Sequence, residues 1–136
     1  MKAIVLLGTL KREGLSHTET LVEFFTGYLQ KKSVDFEVVK LVRHHILPGT
    51  YSNMGEGDDW PAILEKITAA DILIFATPIW WGNHSSETQR AIERLDELHD
   101  EIMEGKPPGW RARPQVSSSP AIPTDRSISL VASAIL

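Results

Sequence analysis

A run of five apolar residues at positions 3–7, Ala-Ile-Val-Leu-Leu, sets the tightest limit on how this chain folds. It does not alternate between apolar and polar residues, so it reads as a strand covered on both faces, the habit of parallel sheets flanked by helices. Residues 34–41 and 71–76 read as two further strands, the first of these with Phe36, Val38 and Val39 supplying β-propensity. Helical patterns separate them. Ser16-His17-Thr18-Glu19 fits a capping box, and Leu21, Phe24, Phe25, Tyr28 and Leu29 follow at helical spacing as one apolar face. Pro61 suits a first helical turn, with Trp60, Ile63, Leu64 and Ile67 as the stripe. A further helix starts at Ser85 or Ser86, where Ser86 and Gln89 suggest a second capping box, with Ala91, Ile92, Leu95, Leu98 and Ile102 inward. Strand and helix alternating in this way imply parallel strands joined by right-handed crossovers. The expected fold is therefore α/β, with three clear strands in the order 2-1-3 and helices on both faces.

The chain has 136 residues and no cysteine, which excludes disulfides, thiolate catalysis and cysteine-ligated metal and fits a cytoplasmic location. No apolar run approaches the roughly 20 residues of a membrane helix. The N-terminal apolar stretch runs into Lys11-Arg12-Glu13 without a small-residue cleavage site, so it reads as a buried strand rather than a signal peptide. Charge is uneven. Residues 1–104 carry a balance of −7 and residues 105–136 a balance of +3. An acidic main body lacks the basic footprint that nucleic-acid binding requires.

Two loops carry the chemistry. The first, Gly8-Thr9-Leu10-Lys11-Arg12-Glu13-Gly14-Leu15-Ser16-His17-Thr18, joins the first strand to the first helix. Hydroxyls and backbone N–H groups at a helix N-terminus favour an anion, and two nearby cations reinforce that. It is not a phosphate-binding Walker loop, because five residues separate its glycines and Leu15 follows Gly14. Nor is it the dinucleotide fingerprint, since the second strand ends in Lys40-Leu41 rather than an acid. The second loop is Thr77-Pro78-Ile79-Trp80-Trp81-Gly82-Asn83. Its tryptophans are placed to stack on or flank a ring system, while Gly82 lets backbone amides approach the ring's polar edge. Both loops lie at carboxyl ends of strands, where open α/β sheets bind ligands. His44-His45 has no acid or third ligand nearby in sequence and reads as solvated loop. Asp58 and Asp59 read as helix-start residues, and 93–104 as a solvated helix face.

With these loops quoted, residues 1–104 resemble the flavodoxin-like family of NAD(P)H-dependent FMN reductases. The resemblance rests on Gly8-Thr9…His17-Thr18…Leu21 for the family's phosphate loop and on residues 77–82 for its flavin loop, Thr-Pro-Ile-Tyr/Trp-Trp-Gly. It implies that Thr9, Lys11, Ser16, His17 and Thr18 hold the FMN phosphate. It implies too that Thr77, Pro78, Ile79, Trp80, Trp81, Gly82 and Asn83 border the flavin ring. His17 stands where the family usually has asparagine, and His84 where proline is frequent. The implied reaction passes electrons from NAD(P)H through FMN to a small acceptor such as a quinone or nitro compound, with no catalytic side chain named because the cofactor does the chemistry. An FMN electron carrier without nicotinamide turnover, and a truncated flavin-free interaction domain, stay open as alternatives. In the family a fourth strand and a third flavin-contacting loop follow the helix that ends near residue 104. Residues 105–136, rich in Pro, Ser and Arg, resemble none of this, which suggests an incomplete FMN domain and an atypical tail produced by truncation or a shifted reading frame. The third strand would then keep an exposed edge, an arrangement that leaves a homodimer open.

Overall fold

The computed structural model describes residues 1–98. Its elements are β1 (Lys2–Leu7), α1 (His17–Lys31), β2 (Asp35–Lys40), a 3-10 turn (Leu41–Arg43), α2 (Trp60–Thr68), β3 (Ile72–Ala76) and α3 (Ser86–Arg94). The strands form a parallel sheet in the order β2-β1-β3, as expected. In this register Leu7 lies opposite Lys40 on one side and Ala76 on the other. The tail at 105–136 and Ile102 lie outside the described residues.

β1 is buried along its length because both of its faces are covered. Ala3, Val5 and Leu7 pack with Val22 and Leu29 of α1 and with Ile74 and Ala76 of β3. Ile4 and Leu6 point the other way, into a larger cluster built on Trp60, Ile63 and Ile67 of α2 and Ala91 of α3. The uninterrupted apolar run thus divides between two cores by simple alternation.

α1 departs from the single apolar face read from its sequence. Its buried residues are Thr18, Val22, Thr26 and Leu29, with Phe25 half-buried. Leu21, Phe24 and Tyr28 form a neighbouring stripe that stays exposed, Phe24 at 80%. Small threonines face the sheet, and the Thr26 hydroxyl satisfies itself by donating to Glu23 O at 3.0 Å. Hydrophobicity alone cannot rank two adjacent stripes when the inward one contains threonine. The helix ends with Ser33 at φ 56°. Ser33 N–H donates to Gln30 O and Val34 N–H to Leu29 O, a Schellman closure that turns the chain into β2.

Residues 44–59 carry no regular element yet are held firmly, and here two sequence expectations are corrected. Arg94, expected on a solvated face, is wholly buried. Its guanidinium pairs with the Asp58 carboxylate at 2.7 and 3.1 Å and donates to Leu47 O and Tyr51 O at 2.8 and 2.9 Å. It also lies over the Trp60 ring, 5.6 Å from its centroid. Asp58 does meet the start of α2 by accepting from Trp60 N–H, but it also accepts from Leu47 and Met54 N–H. It is the anchor of the loop rather than only a helix-start residue. Asp59 makes no side-chain cap and instead accepts from His45 N–H at 2.7 Å. Glu97 accepts from Ser52 N–H, and hydrogen bonds from Ser52 hold the Glu97 carboxyl below its ordinary value.

Burial by itself would push the Asp58 carboxyl up from its ordinary 3.8, but the Arg94 guanidinium and the backbone donors of Met54, Trp60 and Leu47 outweigh it and hold it well down. A carboxyl depressed in the folded state stabilises the fold above its unfolded value and loses that contribution as pH falls below it. Asp58→Asn is therefore expected to cost about 3–5 kcal/mol at pH 7, because Arg94 is left buried and unpaired. The gap from wild type should narrow once pH drops below roughly 4, where the Asp58 carboxyl of the unfolded chain takes up a proton while the folded one stays ionised. Urea unfolding across that range measures both; a gap independent of pH would refute the assignment.

Candidate functional site

Parallel pairing of β1 with β3 brings the carboxyl ends of both strands side by side, so the two sequence-marked loops meet. Gly8 N–H donates to Ala76 O at 2.7 Å, carrying the ladder one step past β1. From there a buried hydroxyl clasp locks the loops together. The Ser85 hydroxyl donates to Gly8 O at 2.5 Å and lies 3.1 Å from Thr88 Oγ1, while Thr77 Oγ1 accepts from Ser85 N–H at 3.0 Å. Ser85 also caps α3, accepting from Thr88 N–H. The expected cap at Ser86 is thus displaced by one residue, because only Ser85 faces both Gly8 and the helix end. Gln89, the expected capping partner, instead lies 2.5 Å from His84 Nε2.

The clasp explains Gly8. A Cβ there would fall 1.9 Å from Thr88 Oγ1 and 2.9 Å from Ser85 Oγ, so the backbone runs too close to α3 for any side chain. Thr88 escaped the sequence reading, and Ser85 was marked there only as one of two possible helix starts, not as a partner of Gly8. Their only sequence signal was a serine three residues before a threonine at a helix start.

In the first loop Thr9 is buried, and its hydroxyl accepts from Lys11 N–H at 3.3 Å. Lys11 Nζ folds back onto Leu15 O at 3.0 Å. Arg43 donates to Arg12 O at 3.4 Å from beyond β2, a second tether on the same loop. Ser16 caps α1 by accepting from Glu19 N–H. His17 is exposed and Thr18 buried at the start of the helix.

The second loop makes a tight turn. Trp80 N–H donates to Asn83 O at 2.7 Å and Asn83 N–H returns to Trp80 O at 2.9 Å. Trp81 and Gly82 between them have φ of 50° and 80°. Positive φ at both central residues marks a type I′ turn, natural for glycine but costly for tryptophan, on the order of 1–3 kcal/mol. Trp81 accepts this strain while 99% exposed, so no packing in the described residues repays it. Trp80 is 57% exposed beside it.

Pro78, Ile79 and Trp80 form one wall of a groove of about 500 Å³. His17, Thr18, Leu21 and Phe24 from the first two turns of α1 form the other. Of the residues marked from sequence, His17, Thr18, Pro78, Ile79 and Trp80 come together here. Thr9, Lys11, Ser16, Trp81, Gly82 and Asn83 lie outside the groove lining, and Thr77 is turned into the clasp. The additions are Thr20 together with Leu21 and Phe24, the last two read from sequence as core. Among the described residues no cluster of His, Cys, Asp or Glu is arranged to hold a metal ion, and no helix is long and apolar enough to cross a membrane.

Comparison with known proteins agrees with this geometry. The family model described as NADPH-dependent FMN reductase matches residues 1–114. An 8-demethyl-8-aminoriboflavin-5′-phosphate synthase of Streptomyces davaonensis is 35% identical over 112 residues, covering 75% of this chain and 43% of that protein. A divalent metal cation transporter of Mycobacterium bovis is 37% identical over 100 residues, 70% of this chain but 15% of the transporter. The chain spans less than half the length of either relative. Among solved structures, RosB with bound 8-demethyl-8-formylriboflavin-5′-phosphate superposes with a TM-score of 0.57 at 31% identity, covering 73% of this chain and 42% of RosB. Fold, loop placement and sequence likeness converge: this chain belongs to the NADPH-dependent FMN reductase family.

Proposed function

We propose that this chain binds FMN across the two loops and takes part in electron transfer from NAD(P)H to a small acceptor such as a quinone or nitro compound. The observation that carries the reading is the meeting of an open helix N-terminus with an aromatic wall in one groove. At the first turn of α1 the backbone N–H groups of Ser16, His17 and Thr18 face the loop, and such donors suit a phosphate. Thr9, Lys11, Ser16, His17 and Thr18 are the residues assigned to that phosphate. Pro78, Ile79 and Trp80 offer the apolar wall a flavin ring needs, and Trp81, Gly82 and Asn83 hold the turn at its rim, with Thr77 fixing the turn to the clasp. The strained φ of Trp81 supports the same reading, since such outliers gather where a backbone must meet a ligand.

Bound FMN supplies two-electron acceptance and release; the protein's part is to bind, orient and shield. The α1 terminus compensates phosphate charge. Trp80 and Pro78 exclude water from one face of the ring, and backbone amides at the turn address its polar edge. We assign the FMN-binding unit to residues 1–104 and treat 105–136 as a separate, atypical tail.

The purified chain is expected to quench FMN fluorescence with a Kd below about 1 mM, a free energy near −4 kcal/mol. Trp80→Ala, at an exposed position, should weaken binding about three- to tenfold without unfolding the protein. No quenching at millimolar FMN would defeat the cofactor assignment. Consumption of NADPH in the presence of a quinone tests the reductase step; flavin binding without such consumption would assign the chain an electron-carrier role instead.

Gly8→Ala is expected to lower stability by about 1–3 kcal/mol through overpacking against the clasp. The same change in a Thr88→Ala background should cost less, because the clashing hydroxyl is gone. Equal costs in both backgrounds, measured by chemical denaturation, would show that the clasp does not impose the glycine.

A further inference from the structure

We propose that Lys40 is a positioning residue of the flavin-phosphate site, holding the Glu19 carboxylate away from the first turn of α1 and so setting a preference for flavin 5′-phosphate over unphosphorylated flavin. The inference rests on the flavin reading above and adds a residue to it that neither loop contains.

Ser16-x-x-Glu19 is a capping-box sequence, and in a complete box the glutamate accepts from the N-cap backbone N–H. Only half of the box forms here. Glu19 N–H donates to Ser16 Oγ at 3.1 Å, but the Glu19 carboxylate pairs with Lys40 Nζ, at 3.0 and 3.2 Å from its two oxygens. Lys40 is the last residue of β2, aligned with Leu7 at the end of β1, and it is only 7% exposed. A lysine this buried is unusual unless paired, and Glu19 is its partner. Among the described residues no acceptor meets the backbone N–H groups of Ser16, His17 and Thr18. Intrahelical geometry leaves those donors open, and the pair with Lys40 prevents the nearest carboxylate from closing over them.

The electrostatic consequence has a clear sign. A free carboxylate in the first helical turn is favourable for the helix itself but repels an anion bound at the same terminus. Pairing with Lys40 neutralises that charge in a partly dry setting, where it would otherwise act strongly. Of the other cations near the loop, Lys11 is engaged on Leu15 O and Arg43 on Arg12 O. Lys40 thus acts through Glu19, without touching the ligand.

The test compares FMN with riboflavin, which lacks the phosphate, by fluorescence quenching on the full chain. Wild type should bind FMN more tightly than riboflavin. Lys40→Met is expected to weaken FMN about tenfold and riboflavin less than about twofold, because only the phosphate senses the freed carboxylate. Lys40→Arg should keep the wild-type ratio, and adding Glu19→Ala to Lys40→Met should restore most of the FMN affinity. Parallel loss of both flavins in Lys40→Met, or no recovery in the double variant, would overturn the proposal and reduce the pair to a structural role. Should Lys40→Met fail to fold, Glu19→Ala alone decides: an FMN affinity equal to or above wild type supports the proposal, and a fall refutes it. Wild-type protein that binds neither flavin would defeat the flavin reading itself, whereas wild type that binds both equally would defeat only the role of Lys40.

Discussion

β1 is the constraint from which the rest of the molecule follows. It hydrogen-bonds a parallel neighbour on each side and buries both of its faces, so its position has little freedom. Because the strands are parallel, their carboxyl ends share one edge of the sheet, and the loops that leave β1 and β3 are forced together. The Gly8–Ala76 hydrogen bond and the Ser85 clasp convert that proximity into a fixed geometry. Two loops separated in sequence by residues 19–76 therefore behave as one structural unit, and the absence of a side chain at Gly8 is what permits them to touch.

Around this unit the chain leaves polar groups and strain where a ligand can answer them. The start of α1 keeps backbone donors open, and Trp81 holds a backbone conformation that glycine would adopt at less cost. Elsewhere buried charge is fully paired, although the Trp60 indole N–H is buried without a hydrogen-bond partner among the described residues. Arg94 and Asp58 are fully desolvated, yet between them they meet five backbone groups as well as each other. That pair keeps the long connection from β2 to α2 against the body of the domain without any regular structure. Backbone donors and backbone strain are thus left at the mouth of the groove, while the buried charges beneath the sheet are fully paired.

Much of this was legible in the sequence, because local patterns carry element type. The apolar run of β1, the capping serine of α1 and the proline of α2 all name their structures directly. The two loops were legible as neighbours because both leave the carboxyl ends of parallel strands. What was not legible required knowing which element faces which. Ser85 and Ser86 are equally good caps in isolation; only contact with Gly8 selects Ser85. Arg94 looks solvated in a charged stretch until α3 is laid against the 44–59 loop and Asp58 appears opposite it. Thr18 and Thr26 turn inward and Phe24 outward because α1 must approach a sheet face already filled by Val5 and Leu7, a demand made by the partner surface and invisible in the helix's own periodicity.

The two ends of the groove do not contribute alike to recognition. At the ring end the wall is Pro78, Ile79 and a half-exposed Trp80, an apolar surface that receives many planar molecules with little discrimination. At the other end the open N–H groups of α1 have a direction and a sign, and a ligand lacking an anion leaves them unanswered. Discrimination by unmet polar groups is generally sharper than discrimination by apolar fit. On the flavin reading proposed above, such a chain would select its flavin by the phosphate and its ring only loosely, and Glu19 and Lys40, which set the charge at the α1 terminus, would govern that selection although they stand outside both loops.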